Sequence, residues 1–304
     1  MSVAAVVPHY REAADSVHRT VAGIVGQSLP PKQVVLVDDG SPRPIHLDAP
    51  WADLVRRARL AENMGVSAAR NLGAACTSGR FLLFVNCDVV LAPDWVRRAV
   101  HFMLEHPDVA LVGGAVVPRV GRPAVRRWRL QHIETRVHRV APPAPVRQGW
   151  IVGHAMLVRR SAFERIGGFD ARFRSAGDEV DLCVRLCAAG FGVFHLPFVV
   201  ADSFEPATIE TMARKSVRNS GWSLGRTGPP CAATRPLRPL PAALSTLGVL
   251  AGRVARDVLR GRPLMLLLDL AVAARSLVLI GRASTAPGVR SPAARRLVRR
   301  RRPA

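Results

Sequence analysis

The sequence predicts an α/β fold in which a mostly parallel sheet is flanked by helices, followed by C-terminal amphipathic helices and a disordered basic tail. Three observations point there. Apolar runs of strand length at residues 3–7, 33–37 and 81–85 alternate with helical stretches of about a dozen residues, the pattern of βαβ units. Each run stops at a polar loop, and in an open parallel sheet ligands bind outside the carboxyl ends of the strands. Beyond residue 210 the composition changes: 19 Lys and Arg stand against Asp257 and Asp269, so +17 of the net charge of +22 falls there.

Taken in order, residues 3–7 read as a strand closed by Pro8, and 12–26 as a helix with Val17, Val21, Ile24 and Val25 on one side. A second strand at 33–37 runs into Asp38-Asp39-Gly40-Ser41-Pro42, a turn by composition. A short third strand at 57–60, a helix at 66–76 and the fourth strand at 81–85 follow. Pro93-Asp94 opens a helix to Glu105, and 109–117 is strand again. From 118 to 149 the pattern dissolves into Arg, Pro and scattered apolar residues. Strand returns at 156–159. Ser161 is expected to cap a short helix ending at Gly167-Gly168, and a further helix begins in Gly177-Asp178-Glu179-Val180-Asp181-Leu182 and reaches Gly190. Residues 191–200 are strand-like. The resulting division is one domain over 1–225, a proline-rich linker at 226–241, helices within 242–281 and an Arg-rich disordered tail at 282–304.

Residues 1–210 carry a net charge of +5, an ordinary balance, so an anionic partner would meet the C-terminal third. Its basic residues lack interleaved aromatics and the strand-end loops are acidic, so nucleic acid is not an expected partner. Five cysteines without a C-x-x-C pair imply a reducing, cytosolic setting and no disulfide framework. Cys183 and Cys187, one helical turn apart, read as small core residues. The N-terminus lacks a basic leader and reads as strand rather than signal peptide.

Three loops share one rim: Pro8-His9-Tyr10, Asp38-Asp39-Gly40-Ser41 and Asn86-Cys87-Asp88. No G-x-G-x-x-G follows the first strand and no G-x-x-x-x-G-K-[ST] occurs, which argues against dinucleotide and P-loop sites. Polar and acidic loop ends suit a nucleotide held by base and ribose, with a metal on its phosphates. Asp38 and Asp39 could equally form an Asx-type turn, and Asp88, at the tip of a buried strand, either holds a divalent cation or caps a turn.

Several blocks in order, Val34-Val35-Leu36-Val37-Asp38-Asp39-Gly40-Ser41, Asn63-Met64-Gly65 with Ala69-Arg70-Asn71-Leu72-Gly73, Arg159-Arg160-Ser161 through Gly167-Gly168-Phe169-Asp170, and the acidic segment 177–182 with Arg185-Leu186, resemble the family 2 glycosyltransferases. The resemblance covers roughly residues 1–200 and implies the GT-A fold, a Rossmann-like sheet with flanking helices. It implies inverting transfer of a single sugar from a nucleotide sugar, usually a UDP-sugar, to an acceptor hydroxyl such as a lipid-linked or cell-envelope precursor. Pro8, Tyr10 and Asp38 would hold the nucleobase, and Asn63, Gly65 and Arg70 would lie near base, ribose and diphosphate. The D-x-D motif maps to Asn86-Cys87-Asp88, with Asp88 as ligand of Mg²⁺ or Mn²⁺ and Asn86 beside the ribose. The acidic pair Asp178-Glu179 would supply the catalytic base, by register Glu179, with Asp178 as the substitute.

Two departures stand out: Asn86 where the family usually has Asp, and Asp178-Glu179 where it usually has Glu-Asp. They keep open a catalytically decayed nucleotide-sugar-binding protein of the same fold. No Q-x-x-R-W of processive relatives occurs. After residue 200 many relatives carry a metal-binding His; Asp202 stands nearby as a candidate, while His195 reads as structural.

In the last third, Arg253, Arg256 and Arg260 share one helix face opposite Leu250, Val254 and Val258. Arg262, Asp269 and Ser276 repeat every seven residues as a polar stripe along 264–280. That stretch of about seventeen residues, with Asp269 and Arg275 inside, falls short of the ~20 a span needs. It reads as an in-plane amphipathic helix or one packed on the first domain. With the Arg-rich tail, the expectation is peripheral attachment to an anionic membrane surface at the inner, cytoplasmic face.

Overall fold

In the first strand, Val3, Ala5 and Val7 pack into one core and Ala4 and Val6 into another. A strand buried on both faces needs helices on both, which gives three layers. The structure is a computed structural model describing residues 2–45, 47, 51–121, 144–205, 208–213 and 263–285, with isolated positions at 123, 126, 248 and 251. Along the chain the elements are β1 (Val3–His9), α1 (Ala14–Val25), β2 (Gln33–Asp38), α2 (Trp51–Leu54), β3 (Val55–Arg59), α3 (Val66–Ala75), β4 (Phe81–Val85), β5 (Val89–Leu91), α4 (Trp95–Glu105), β6 (Val109–Pro118), β7 (Val146–Arg147), β8 (Ala155–Arg159), α5 (Arg160–Arg165), α6 (Asp178–Ala188), β9 (Gly192–Ser203) and α7 (Pro263–Thr285).

Among the described residues one nine-stranded sheet runs in the order β3-β2-β1-β4-β8-β6-β9-β5, with β7 paired to β9 off that path. Parallel pairing holds across β3-β2-β1-β4 and between β6 and β9; β8 is antiparallel to both neighbours, so the sheet is mixed. On one face, α1 and α4 contribute Val17, Val21, Ile24, Trp95 and Met103; on the other, α3, α5 and α6 contribute Ala69, Phe163, Leu182 and Leu186. Helix α3 sits close: a Cβ on Gly73 would meet Val6 Cγ1 at 2.2 Å. Phe84 of β4 is fully buried, its ring centroid 5.5 Å from Phe163 and 5.0 Å from Phe169, which ties α5 and the turn after it to the central strand.

This topology gathers a rim. The carboxyl ends of β1, β2, β3 and β4 face one way, and the reversal of β8 brings its amino end to the same edge. There the Asn86 N–H donates to the His154 carbonyl at 2.9 Å.

Several expectations change. Pro8 does not close β1: the register with β4 ends at Val6↔Phe84, so Pro8 lies past that ladder and still pairs with Val37 of β2. Ser161 lies within the first turn of α5 rather than capping it. Strands β5 and β7, three and two residues long, carry too little periodicity to be read. Residues 226–241 and 252–262 lie outside the described residues, as does most of 118–149 that precedes β7. Helix α7 contains 264–280 and continues to Thr285, beyond position 282 where the tail was expected to start.

Because Phe84 joins three elements, Phe84→Ala is expected to cost about 3–5 kcal/mol in urea unfolding; a cost below about 1 kcal/mol would mean the aromatic cluster is not what holds α5 on the sheet.

Candidate active site

The adjacent acids after β2 have separate partners. The Asp39 carboxylate accepts from the backbone N–H of Met64 at 2.7 Å, from that of Gly65 at 2.9 and 3.1 Å, and from Asn63 Nδ2 at 2.9 Å. It thereby pins the loop that opens α3. Gly65 has φ 97°, and a Cβ there would lie 2.5 Å from the Arg174 backbone, so this position admits only glycine without strain. Asn63 and Gly65, expected near the substrate, are thus engaged in holding this loop. Asp38 accepts from the Ser41 N–H at 2.7 Å and from Arg59 at 2.6 Å, with His9 Nε2 at 3.9 Å. Burial pushes the His9 pKa below its ordinary value.

The loop after β1 is knitted to the same edge. Arg11 adopts φ 64°, the left-handed region, and its N–H donates to Ser41 Oγ at 3.1 Å. Its guanidinium lies 4.9 Å from the centroid of the Tyr10 ring. The Tyr10 N–H donates to the Glu12 carboxylate, whose pKa is raised by burial and, further, by the charge of Asp88. Pro8 pairs with Val37, and His9, between Pro8 and Tyr10 in sequence, pairs with Asp38, at the β1–β2 end of the rim.

At the other end, Arg70 of α3 is 3% exposed and reaches three groups. It pairs with Asp178 at the start of α6, donates to Asn86 Oδ1 at 2.8 Å, and donates to the Gly153 carbonyl at 3.1 Å. One guanidinium, buried together with Asp178, joins the tip of β4, the lead-in to β8 and the acidic helix. Of the acids in the first turn of α6, Asp178 is taken by Arg70 and Asp181 by Arg185 at 2.6 Å. Glu179 is left, and among the described residues no Arg or Lys ion-pairs with it. Burial, then the charge of Asp178 and a hydrogen bond shared with it, raise its pKa from 4.5 to about 7. A Cβ on Gly153 would lie 3.0 Å from Glu179 Cβ, so that glycine makes room for the acid.

For a divalent ion, the described residues contain no group of three His, Cys, Asp or Glu. Asp88 at the strand tip, with Glu12 near enough to feel its charge, matches the other common arrangement: one or two carboxylates, completed by phosphate and water oxygens. Asp202 does not join them. It accepts from Arg119 at 2.8 Å and lines a cavity of about 440 Å³ with Ala22, Gly23 and Val90, to which none of the residues above belongs. His195 is buried within β9. Arg59, Glu12 and Gly153 were not anticipated; Arg59 ends a strand with no motif around it, and the other two act through contacts remote in sequence.

The family model for glycosyl transferase family 2 matches residues 4–167. The pre-mycofactocin glycosyltransferase of Mycobacterium tuberculosis is 30% identical over 251 residues, 80% of this chain and 50% of that protein. The N-acetylglucosaminyl-diphospho-decaprenol L-rhamnosyltransferase of the same organism is 47% identical over 143 residues, 43% of this chain and 40% of its own. The chain thus spans about half the length of the curated relatives it matches. Among solved structures, a mannosyltransferase from Pyrobaculum calidifontis in complex with GDP-Man and Mn²⁺ superposes with a TM-score of 0.56 at 20% identity, over 90% of this chain and 86% of that one. GalNAc-T7 with UDP, GalNAc and Mn²⁺ does so with a TM-score of 0.56 at 16% identity, over 86% and 58%. Both likenesses are of fold, the GT-A glycosyltransferase architecture.

Two outcomes follow from the geometry. Arg70→Met strands a buried carboxylate and is expected to cost about 3–5 kcal/mol in equilibrium unfolding, while Arg70→Met with Asp178→Leu recovers most of it; no recovery would mean the pair is not coupled. Folding favours protonated Glu179, so wild-type stability falls as pH rises from 4.5 through about 7. Glu179→Gln should therefore melt above wild type at pH 8 by a margin that closes below the ordinary carboxyl range; a margin independent of pH would contradict the raised pKa.

Proposed function

The chain belongs to glycosyl transferase family 2, and we propose that it moves a single sugar from a nucleotide-sugar donor to an acceptor hydroxyl, with inversion at the anomeric carbon. The observation that carries this reading is the Arg70 bridge, which ties the Asn86 strand tip to Asp178 beside Glu179. The donor-binding edge and the acidic helix are thereby held by one side chain.

Glu179 is the base. Its raised pKa makes it a carboxylate able to take a proton near neutral pH, and Asp178 is already committed to Arg70. It accepts the acceptor's proton as the hydroxyl oxygen bonds to the anomeric carbon and the bond to the nucleoside diphosphate breaks. Positioning both substrates supplies much of the remaining rate. Asp88, with Glu12 beside it, would hold a Mg²⁺ or Mn²⁺ ion, whose charge offsets that developing on the diphosphate. Pro8, Tyr10 and Asp38 line the base end, with Asp38 fixed by Arg59 and Ser41. A UDP-sugar is the donor we favour, on the family resemblance. A lipid-linked acceptor is supported by the relative named for a diphospho-decaprenol substrate. It would be met at the inner face of an anionic membrane, consistent with the charge of the C-terminal third.

Nucleotide release from UDP- and GDP-sugars with Mn²⁺ tests this. Glu179→Gln is expected to lose on the order of 10²–10⁴-fold in turnover, and wild-type kcat/KM to rise with pH through a midpoint near 7 as the base ionises. Chelation or Asp88→Ala should also depress it. Equal rates in wild type, Glu179→Gln and Asp88→Ala would remove the catalytic assignment and favour a binder.

A further inference from the structure

Helix α7 is amphipathic the wrong way round for a protein in water. On a surface helix the apolar stripe normally faces the core and the polar side faces solvent. Here Asp269, Val272 and Ser276, spaced i, i+3 and i+7, are fully buried. Leu267, Leu270, Leu277 and Val278 are 62, 50, 41 and 44% exposed, and Ala274 completes the same outward face. The inward side is fastened by the Arg275–Glu210 ion pair; the Ser276 hydroxyl donates to the Val272 carbonyl of its own helix at 2.7 Å and packs 3.5 Å from the Ala213 carbonyl. The polar stripe at Asp269 and Ser276 is thus a docking edge, and what remains outward is apolar over about three turns.

We propose that this outward face of α7 is the surface by which the chain lies on an anionic lipid bilayer, its leucines sunk at the boundary of headgroups and acyl chains. The occupant follows from charge and length. By sequence, α7 is followed by Arg290, Arg295, Arg296 and Arg299 to Arg302 with no acidic residue, which suits anionic headgroups and would oppose a second copy bearing the same charge. No helix among the described residues is long and apolar enough to cross a membrane, and an apolar helix face beside basic residues can lie in the plane of a bilayer surface without crossing it. Membrane attachment is already part of the proposed function; what is added is the face that makes it, with Glu210–Arg275 as the clasp that turns that face outward.

The test uses the full chain at physiological salt, sedimented with vesicles of phosphatidylcholine alone or with phosphatidylglycerol, beside a Leu267→Ser/Leu270→Ser/Leu277→Ser variant. The intact chain is expected to pellet with the mixed vesicles, and the variant to bind them at least about tenfold more weakly. Equal pelleting, or none by the intact chain, overturns the proposal. So does a dimer of the intact chain, lost in the variant, without vesicle binding, which would assign the face to a second copy. Should the triple variant misfold, Leu270→Trp gives a second reading: a blue-shifted difference emission on adding mixed vesicles is expected, and an unchanged one overturns the inference. Nucleotide-sugar turnover measured without vesicles separates the readings. Binding without turnover contradicts only the enzymatic proposal, and turnover without binding contradicts only this one.

Discussion

The rest of the site depends on the buried contact between Arg70 and Asp178. Burying two charges costs several kcal/mol each in lost hydration, so such a pair is a poor source of net stability. What it supplies is position. Arg70 rises from α3, and its donors fix the start of α6, the Asn86 tip of β4 and the Gly153 carbonyl ahead of β8. Those segments reach the rim from different parts of the chain, and this guanidinium is a point they share. The same contact accounts for Asn86. With Asp178 already balancing Arg70, a second carboxylate at this half-buried strand tip would add a negative charge beyond the one the guanidinium offsets. An amide oxygen accepts the hydrogen bond without one.

The partition of acids then follows by occupancy. Asp39 is consumed by the amides of the α3 loop, Asp38 by Arg59 and Ser41, Asp178 by Arg70 and Asp181 by Arg185. Glu179 remains, pressed between Asp178 and the space left by Gly153, and its high pKa comes from that position. A carboxyl group kept protonated to near neutrality lowers stability as pH rises from the ordinary 4.5 to about 7, the full loss remaining above that, which is the kind of cost that marks reactive sites. At the far end of the chain, α7 shows another inversion of ordinary solvation, with Asp269 and Ser276 turned in and Leu267, Leu270 and Leu277 turned out.

The strands that carry the rim were legible because burial on both faces demands apolar runs: 33–37 and 81–85 sit within β2 and β4 with nearly the same bounds. The glycosyl transferase family 2 blocks were legible because their residue types are ordered in sequence. The reversal of β8 was not, since a short apolar run has the same composition in either direction. Nor were the partners of Asp39, Asn63 and Gly65, which depend on how the β2 and α3 loops meet in space. Gly153 matters through Arg70 of α3 and Glu179 of α6, and Glu12 through the Tyr10 N–H and the charge of Asp88 past β4. The heptad of Arg262, Asp269 and Ser276 was visible as a stripe, but periodicity cannot say which side of a helix faces inward.

The central claim is that Arg70 claims Asp178 and leaves Glu179 as a carboxyl group of raised pKa. Following the carboxyl carbon of ¹³C-labelled Glu179 against pH, assigned by its disappearance in Glu179→Gln, measures this directly. A midpoint near 7 is the result expected from the geometry; titration near the ordinary 4.5 would contradict it.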